Sequence, residues 1–131
     1  MRKRLGVVLV AGLAATVVSV LPATAAPAPL ANLTFAKVGT SPAGPVDKQV
    51  TLQCAPIGGT HPTAEAACTA LIAVGGQFSL LPRAEGYGCG ADYWPTTVTV
   101  TGTWRNKPVY FTKTYSNDCE ASVGSNFVFH F

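Results

Sequence analysis

Four cysteines, Cys54, Cys68, Cys89 and Cys119, constrain this chain more than any other feature. They are even in number, with 13, 20 and 29 residues between successive ones, and none forms a Cys-x-x-Cys pair. What they can do depends on the compartment, and the N-terminus supplies that. Arg2-Lys3-Arg4 forms a positive n-region, Leu5 to Val20 an apolar run, and Ala23 and Ala25 a small-x-small cleavage pattern. Residues 1–25 therefore read as a secretory signal cut after Ala25. A cut after Ala26 would put Pro27 just beyond the scissile bond, where its ring obstructs the peptidase. At about 16 residues the run is short for a membrane span of roughly 20, and no second run of that length follows. An exported chain keeps disulfides, so paired cysteines are favoured over zinc, whose ligands would need to be clustered. Four cysteines allow three pairings; the local one joins Cys54 to Cys68 and Cys89 to Cys119.

The whole chain carries a formal charge of +3, which invites a nucleic-acid or membrane-surface partner. Arg2, Lys3 and Arg4 account for all of it. The remaining six basic residues balance six acidic ones, so residues 26–131 have no electrostatic footprint for phosphate. No nucleic-acid partner is expected, and no membrane association after the signal is cut. Residues 26–131 make one domain, large enough for one core.

Along that domain, Ala26–Asn32 is a loose Pro-spaced arm. Leu33–Val38 has strand composition, and Gly39–Pro45 reads as a loop. Gln49–Cys54 alternates, with Val50, Leu52 and Cys54 on one face. A helix is predicted over about residues 62–74, with Thr60 or His61 as cap, Glu65 in the first turn and Gly75-Gly76 as the stop. Gln77–Tyr93 is irregular. Val98, Val100 and Trp104 share one face of a strand, and Thr97, Thr99, Thr101 and Thr103 the other. Arg105–Pro108 turns the chain into a second strand, Val109–Tyr115, closing a hairpin. Ser116–Ser125 reads as a polar loop, and Asn126–Phe131 as a terminal strand with Phe127, Phe129 and Phe131 on one face. The fold class is α+β: a five-stranded antiparallel sheet with one main helix packed on it and two disulfides.

Catalytic chemistry is sparse. His61 and His130 are the only histidines; no paired carboxylates and no phosphate loop accompany them. No enzyme, metal or cofactor is expected. The unusual stretch is Gly88-Cys89-Gly90-Ala91-Asp92-Tyr93-Trp94-Pro95. It sets a small residue, a carboxylate and two large aromatics just after a cysteine. It is either a loop whose aromatics fold back on the core or a stapled binding loop.

Several runs resemble one family. Val50-Thr51-Leu52-Gln53-Cys54-Ala55-Pro56, then Gly59-Thr60-His61-Pro62, Ala73-Val74-Gly75-Gly76 and Ser116-Asn117-Asp118-Cys119-Glu120 are similar to the subtilisin inhibitor family secreted by Streptomyces. The resemblance covers essentially all of residues 26–131. It implies a secreted inhibitor of serine proteases, subtilisin-like or elastase-like. Such an inhibitor presents a rigid loop that enters the protease cleft like a substrate. The reactive bond would follow the residue two beyond the third cysteine, which is Ala91–Asp92. Ala91 is then P1, Gly90 P2, Cys89 P3 and Gly88 P4, with Asp92 at P1′ and Tyr93 at P2′. The family usually has Pro at P2, where this chain has Gly90. The resemblance also implies a homodimer through a sheet face, for which Phe127, Phe129 and the valine face of 98–104 are candidates. Two other classes stay open: inhibition of an extracellular metalloprotease through a different surface, and a non-inhibitory secreted interaction module.

Overall fold

The computed structural model describes residues 6, 9–25 and 27–131. Arg2, Lys3 and Arg4 of the expected n-region, with Leu5 and with Ala26 beside the expected cut, lie outside them. Residues 9–25 carry no helix or strand. Among the described residues no helix is long and apolar enough to cross a membrane.

Five strands form one antiparallel sheet. β1 (Ala31–Ser41) and β2 (Gly44–Cys54) are a long hairpin. The predicted loop at 39–45 shrinks to Pro42 and Ala43. The Ser41 hydroxyl accepts from the Ala43 N–H at 3.2 Å and donates to the Gly44 carbonyl at 2.9 Å, satisfying the turn locally. β3 (Gly58–Gly59) adds two residues beside β2. α1 (Ala64–Ala73) follows, then a 3₁₀ turn (Phe78–Leu80) and the long segment 81–95. β4 (Thr96–Trp104) returns beside β1, and β5 (Lys107–Tyr115) closes the second hairpin. Arg105 and Asn106 both sit at positive φ, 49° and 62°, the twist a two-residue hairpin turn needs. α2 (Asp118–Gly124) ends the regular structure. The sheet order is β3-β2-β1-β4-β5, which makes β1 the central strand.

One face of the sheet supplies Leu33, Phe35, Leu52, Val98, Val100 and Trp104 to the core. Ala67, Cys68 and Leu71 of α1 cover it, and the Cys54–Cys68 disulfide welds α1 to β2. α1 stops at Gly75 and Gly76, at φ 61° and 76°. Gly76 could carry no side chain, since a Cβ there would meet the Trp104 ring at 2.4 Å.

Two elements differ from the sequence expectation. Residues 116–125 hold α2 rather than a polar loop. Residues 126–131 are not a strand; the fifth strand is the short β3 instead. Asn126 and Phe127 take positive φ, 52° and 65°, which breaks an extended run. The buried Ser125 hydroxyl caps this turn by accepting the Phe129 N–H at 2.9 Å. The three phenylalanines consequently part company. Phe129 is fully buried, stacked on Phe78 and tilted against Phe35, while Phe127 turns away to meet Tyr87 edge-on at 4.9 Å. Phe129 and the valine face are thus core and not a free surface.

Candidate functional site

The segment 81–95 has no ladder of its own, so its order must come from side chains and covalent bonds. Gly88, Gly90, Ala91, Asp92, Tyr93 and Trp94 are exposed; Cys89 is half-buried. Tyr93 is 76% exposed, so it does not fold back on the core.

Most anchors come from one neighbouring strip, residues 116–123; β1 adds one, the Thr40 N–H donating to the Pro95 carbonyl at 3.3 Å. The Ala84 N–H donates to the Val123 carbonyl at 2.8 Å. Arg83 grips Glu120 through two bonds, 2.6 and 3.2 Å. This pairing raises the Arg83 pKa and holds the Glu120 carboxyl below its ordinary range. The Trp94 N–H donates to the Ser116 carbonyl at 2.8 Å. The Cys89–Cys119 disulfide closes the middle.

Asn117 completes the frame. Its Nδ2 donates to the Gly90 carbonyl at 3.3 Å and to the Asp92 carbonyl at 2.8 Å. The two bonds bracket Ala91 from behind. The Oδ1 of the same side chain accepts the Glu120 N–H at 2.8 Å and caps α2. Sequence reading missed this residue, although Asn117-x-x-Glu120 is the spacing of a helix start.

A second unforeseen residue fixes the strip to the core. Lys37, in β1, is fully buried. Its Nζ pairs with Asp118 at 2.7 Å, donates to the carbonyls of Phe129 at 2.7 Å and Phe131 at 3.0 Å, and lies 4.4 Å from the Phe131 ring centre. Burial lowers its pKa, and Asp118 opposes that shift. Three acceptors satisfy all three ammonium protons.

His61 and His130 do not meet a common nucleophile. His61 is buried, its Nε2 at 2.8 Å from the Val128 carbonyl and its Nδ1 accepting the Thr63 N–H at 3.1 Å. That pair of bonds fixes the Nε2–H tautomer, and burial lowers the pKa. The cap expected at Thr60 or His61 falls instead on Thr63, whose own N–H is the one His61 receives, and no side chain caps the first turn of α1. His130 contacts the Ser122 hydroxyl at 3.2 Å. Among the described residues no three His, Cys, Asp or Glu side chains cluster as metal ligands. A cleft of about 200 Å³ separates the loop from the β1–β2 turn, with Ser41 and Pro42 on one wall and Gly90, Asp92 and Trp94 on the other.

What this arrangement can do is hold an exposed backbone segment still. Residues 26–117 match the family described as subtilisin inhibitor-like. The chain is 38% identical over 107 residues to subtilisin inhibitor-like protein 1 of Streptomyces cacaoi, covering 79% of this chain and 97% of that one. It is 40% identical over 100 residues to the subtilisin inhibitor of Streptomyces albogriseolus, covering 76% and 69%. Streptomyces caespitosus sermetstatin, solved in complex with Bacillus licheniformis subtilisin, superposes with a TM-score of 0.62 at 31% identity, covering 77% of this chain and 98% of that chain. On the extent of the family match and the identity of these relatives, the chain belongs to the subtilisin inhibitor-like family.

Proposed function

We propose that the chain is an exported inhibitor of serine endopeptidases, subtilisin-like or elastase-like, with Ala91–Asp92 as its reactive bond, and not an enzyme. The observation that carries the assignment is the Asn117 amide, which ties the carbonyls on either side of Ala91 to one rigid support. A substrate-like segment held this way can pair its backbone with a protease cleft at little ordering cost. If the protease acylates on Ala91, the new N-terminus at Asp92 stays tethered through its carbonyl, and Gly90 stays tethered through Cys89–Cys119. The cut ends cannot separate, so the acyl-enzyme recloses more often than it hydrolyses. The disulfide closes a ring about 30 residues long, worth roughly 3–4 kcal/mol of chain entropy. A small neutral side chain at Ala91 suits a shallow or apolar S1 pocket and lacks the cation a trypsin-like S1 carboxylate requires.

Purified residues 26–131 titrated against subtilisin and elastase should inhibit at least one of them, and Ala91→Glu should not. Prolonged incubation with the protease should yield one new N-terminus, beginning Asp92. Equal inhibition by Ala91→Glu, or a different new N-terminus, would remove the bond from this site.

Export by cleavage after Ala25 and self-association are part of the same reading. With the inner sheet face in the core, the dimer is assigned to the outer face. Thr34, Ala36, Val38, Thr97, Thr99 and Thr112 lie there on three adjacent strands without a charge among them.

A further inference from the structure

Among the described residues, Asp92 is a carboxylate without a counterion. Asp118 pairs with Lys37 and Glu120 with Arg83, whereas Asp92 makes no ion pair among the described residues. Among the described residues no cation lines the cleft it faces. The β1–β2 turn contributes Thr40, Ser41 and Pro42, the loop Gly90 and Trp94, and the α2 side Asn117, Cys119 and the already paired Asp118. Nor is the carboxylate splayed away from the chain. Its Oδ2 lies 3.4 Å from where a Cβ on Gly90 would stand. In an extended segment residues i and i+2 share a face, so Gly90 and Asp92 stand together, opposite Ala91. With no side chain at position 90, the carboxylate has that face to itself.

A serine protease that engages the Ala91–Asp92 bond must bring its histidine within hydrogen-bond reach of the leaving nitrogen, the N of Asp92. The carboxyl carbon is three covalent bonds from that nitrogen. A docked imidazole therefore lies within about 7 Å of the carboxyl carbon, and within about 6 Å where the Asp92 side chain is gauche to its own nitrogen, by bond lengths and hydrogen-bond distances.

We propose that Asp92 is an electrostatic ligand for the protonated catalytic histidine of the target protease, so that the chain binds the imidazolium form of the active site in preference to the neutral form. This rests on Ala91–Asp92 being the reactive bond. An opposite charge at about 4–6 Å raises a histidine pKa by about one unit or more. By linkage, one unit corresponds to about a tenfold preference for the protonated enzyme. Asp92 thereby becomes a specificity-determining residue.

The test compares inhibition constants against subtilisin for the native chain, Asp92→Asn and Ala91→Glu between about pH 6 and pH 8.5, a range that spans an ordinary histidine titration. The ratio of the Asp92→Asn constant to the native constant should rise about tenfold from the alkaline to the acid end. The imidazole proton resonances of the complexed protease should titrate at higher pH with the native chain than with Asp92→Asn. A ratio that stays constant across the range, with Ala91→Glu inactive, overturns the histidine proposal and leaves the reactive bond in place. Inhibition by Ala91→Glu equal to native overturns the reactive bond, and this proposal with it.

Discussion

Asn117 performs two tasks with the two ends of one amide. Its oxygen caps α2 and its nitrogen holds the loop carbonyls. Substitution can separate them. Asn117→Asp keeps a capping oxygen but has no N–H to donate, and it points a negative charge at two carbonyl dipoles. It should unfold within about 1 kcal/mol of the native chain yet inhibit at least tenfold more weakly and be cleaved faster. Asn117→Ala should lose both, with a stability cost of about 1–2 kcal/mol read from urea unfolding. His61 gives a pH signature. Its folded pKa is depressed from 6.5 by burial, so as pH falls through about 6.5 the unfolded chain takes up the proton first. Stability is therefore full above that pH and is lost as pH falls toward the folded value. The urea midpoint should be lower at pH 5 than at pH 7.5, and His61→Gln should narrow the difference.

At the scale of elements, α2 is the piece that sequence periodicity could not find. Seven residues beginning Asp-Cys-Glu carry polar side chains at the start and no long apolar stripe, so a propensity reading sees a loop. Its reality rests on a local cap from Asn117 and on two tertiary partners, the pair with Lys37 and the disulfide to Cys89. The terminal phenylalanines misled for the opposite reason. Alternation at 127, 129 and 131 mimics a strand, but positive φ at Asn126 and Phe127 sends alternate rings to different places. By contrast, β2, the β4–β5 hairpin and α1 were legible because each has its own periodicity and its own stop residues. The Lys37–Asp118 pair links the central strand to α2. Asp118→Ala should cost about 1–2 kcal/mol by leaving a buried ammonium short of one partner, discounted because the carboxylate is half-exposed. Lys37→Met combined with Asp118→Asn should recover much of that loss, since an apolar chain of similar volume replaces the buried charge. Changing Cys89 and Cys119 together to Ser should turn the inhibitor into a substrate cut at Ala91–Asp92, seen as loss of inhibition with time on incubation with the protease.

For the whole molecule, the fold class was legible and the path of the chain was not. Four of the five strands and the main helix follow from alternation and stop residues, and the cysteine pairing is the local one of the three that the spacing allows. The order β3-β2-β1-β4-β5 does not, because nothing in β4 alone says that it pairs with β1. The loop was legible as a place, from Gly88 to Trp94, but its support was invisible: the groups that hold it come from 116–123, about 25 residues downstream and otherwise unremarked. The outer sheet face gives a prediction at this scale. Val38, 55% exposed on the outer face between Thr97 of β4 and Asp47 of β2, should report the dimer contact. Val38→Glu should shift sedimentation toward the monomer while leaving inhibition of the protease intact.

The way that strip holds the loop also decides how freely its message can be rewritten. The Asn117 bonds that bracket Ala91 reach only carbonyls, so they read no side chain. The residue at 91 works like a key blank clamped by its shank. Ala91→Lys or Ala91→Leu should redirect the protein to trypsin-like or to larger apolar pockets with the melting temperature nearly unchanged, so a lineage can change its prey without refolding its weapon.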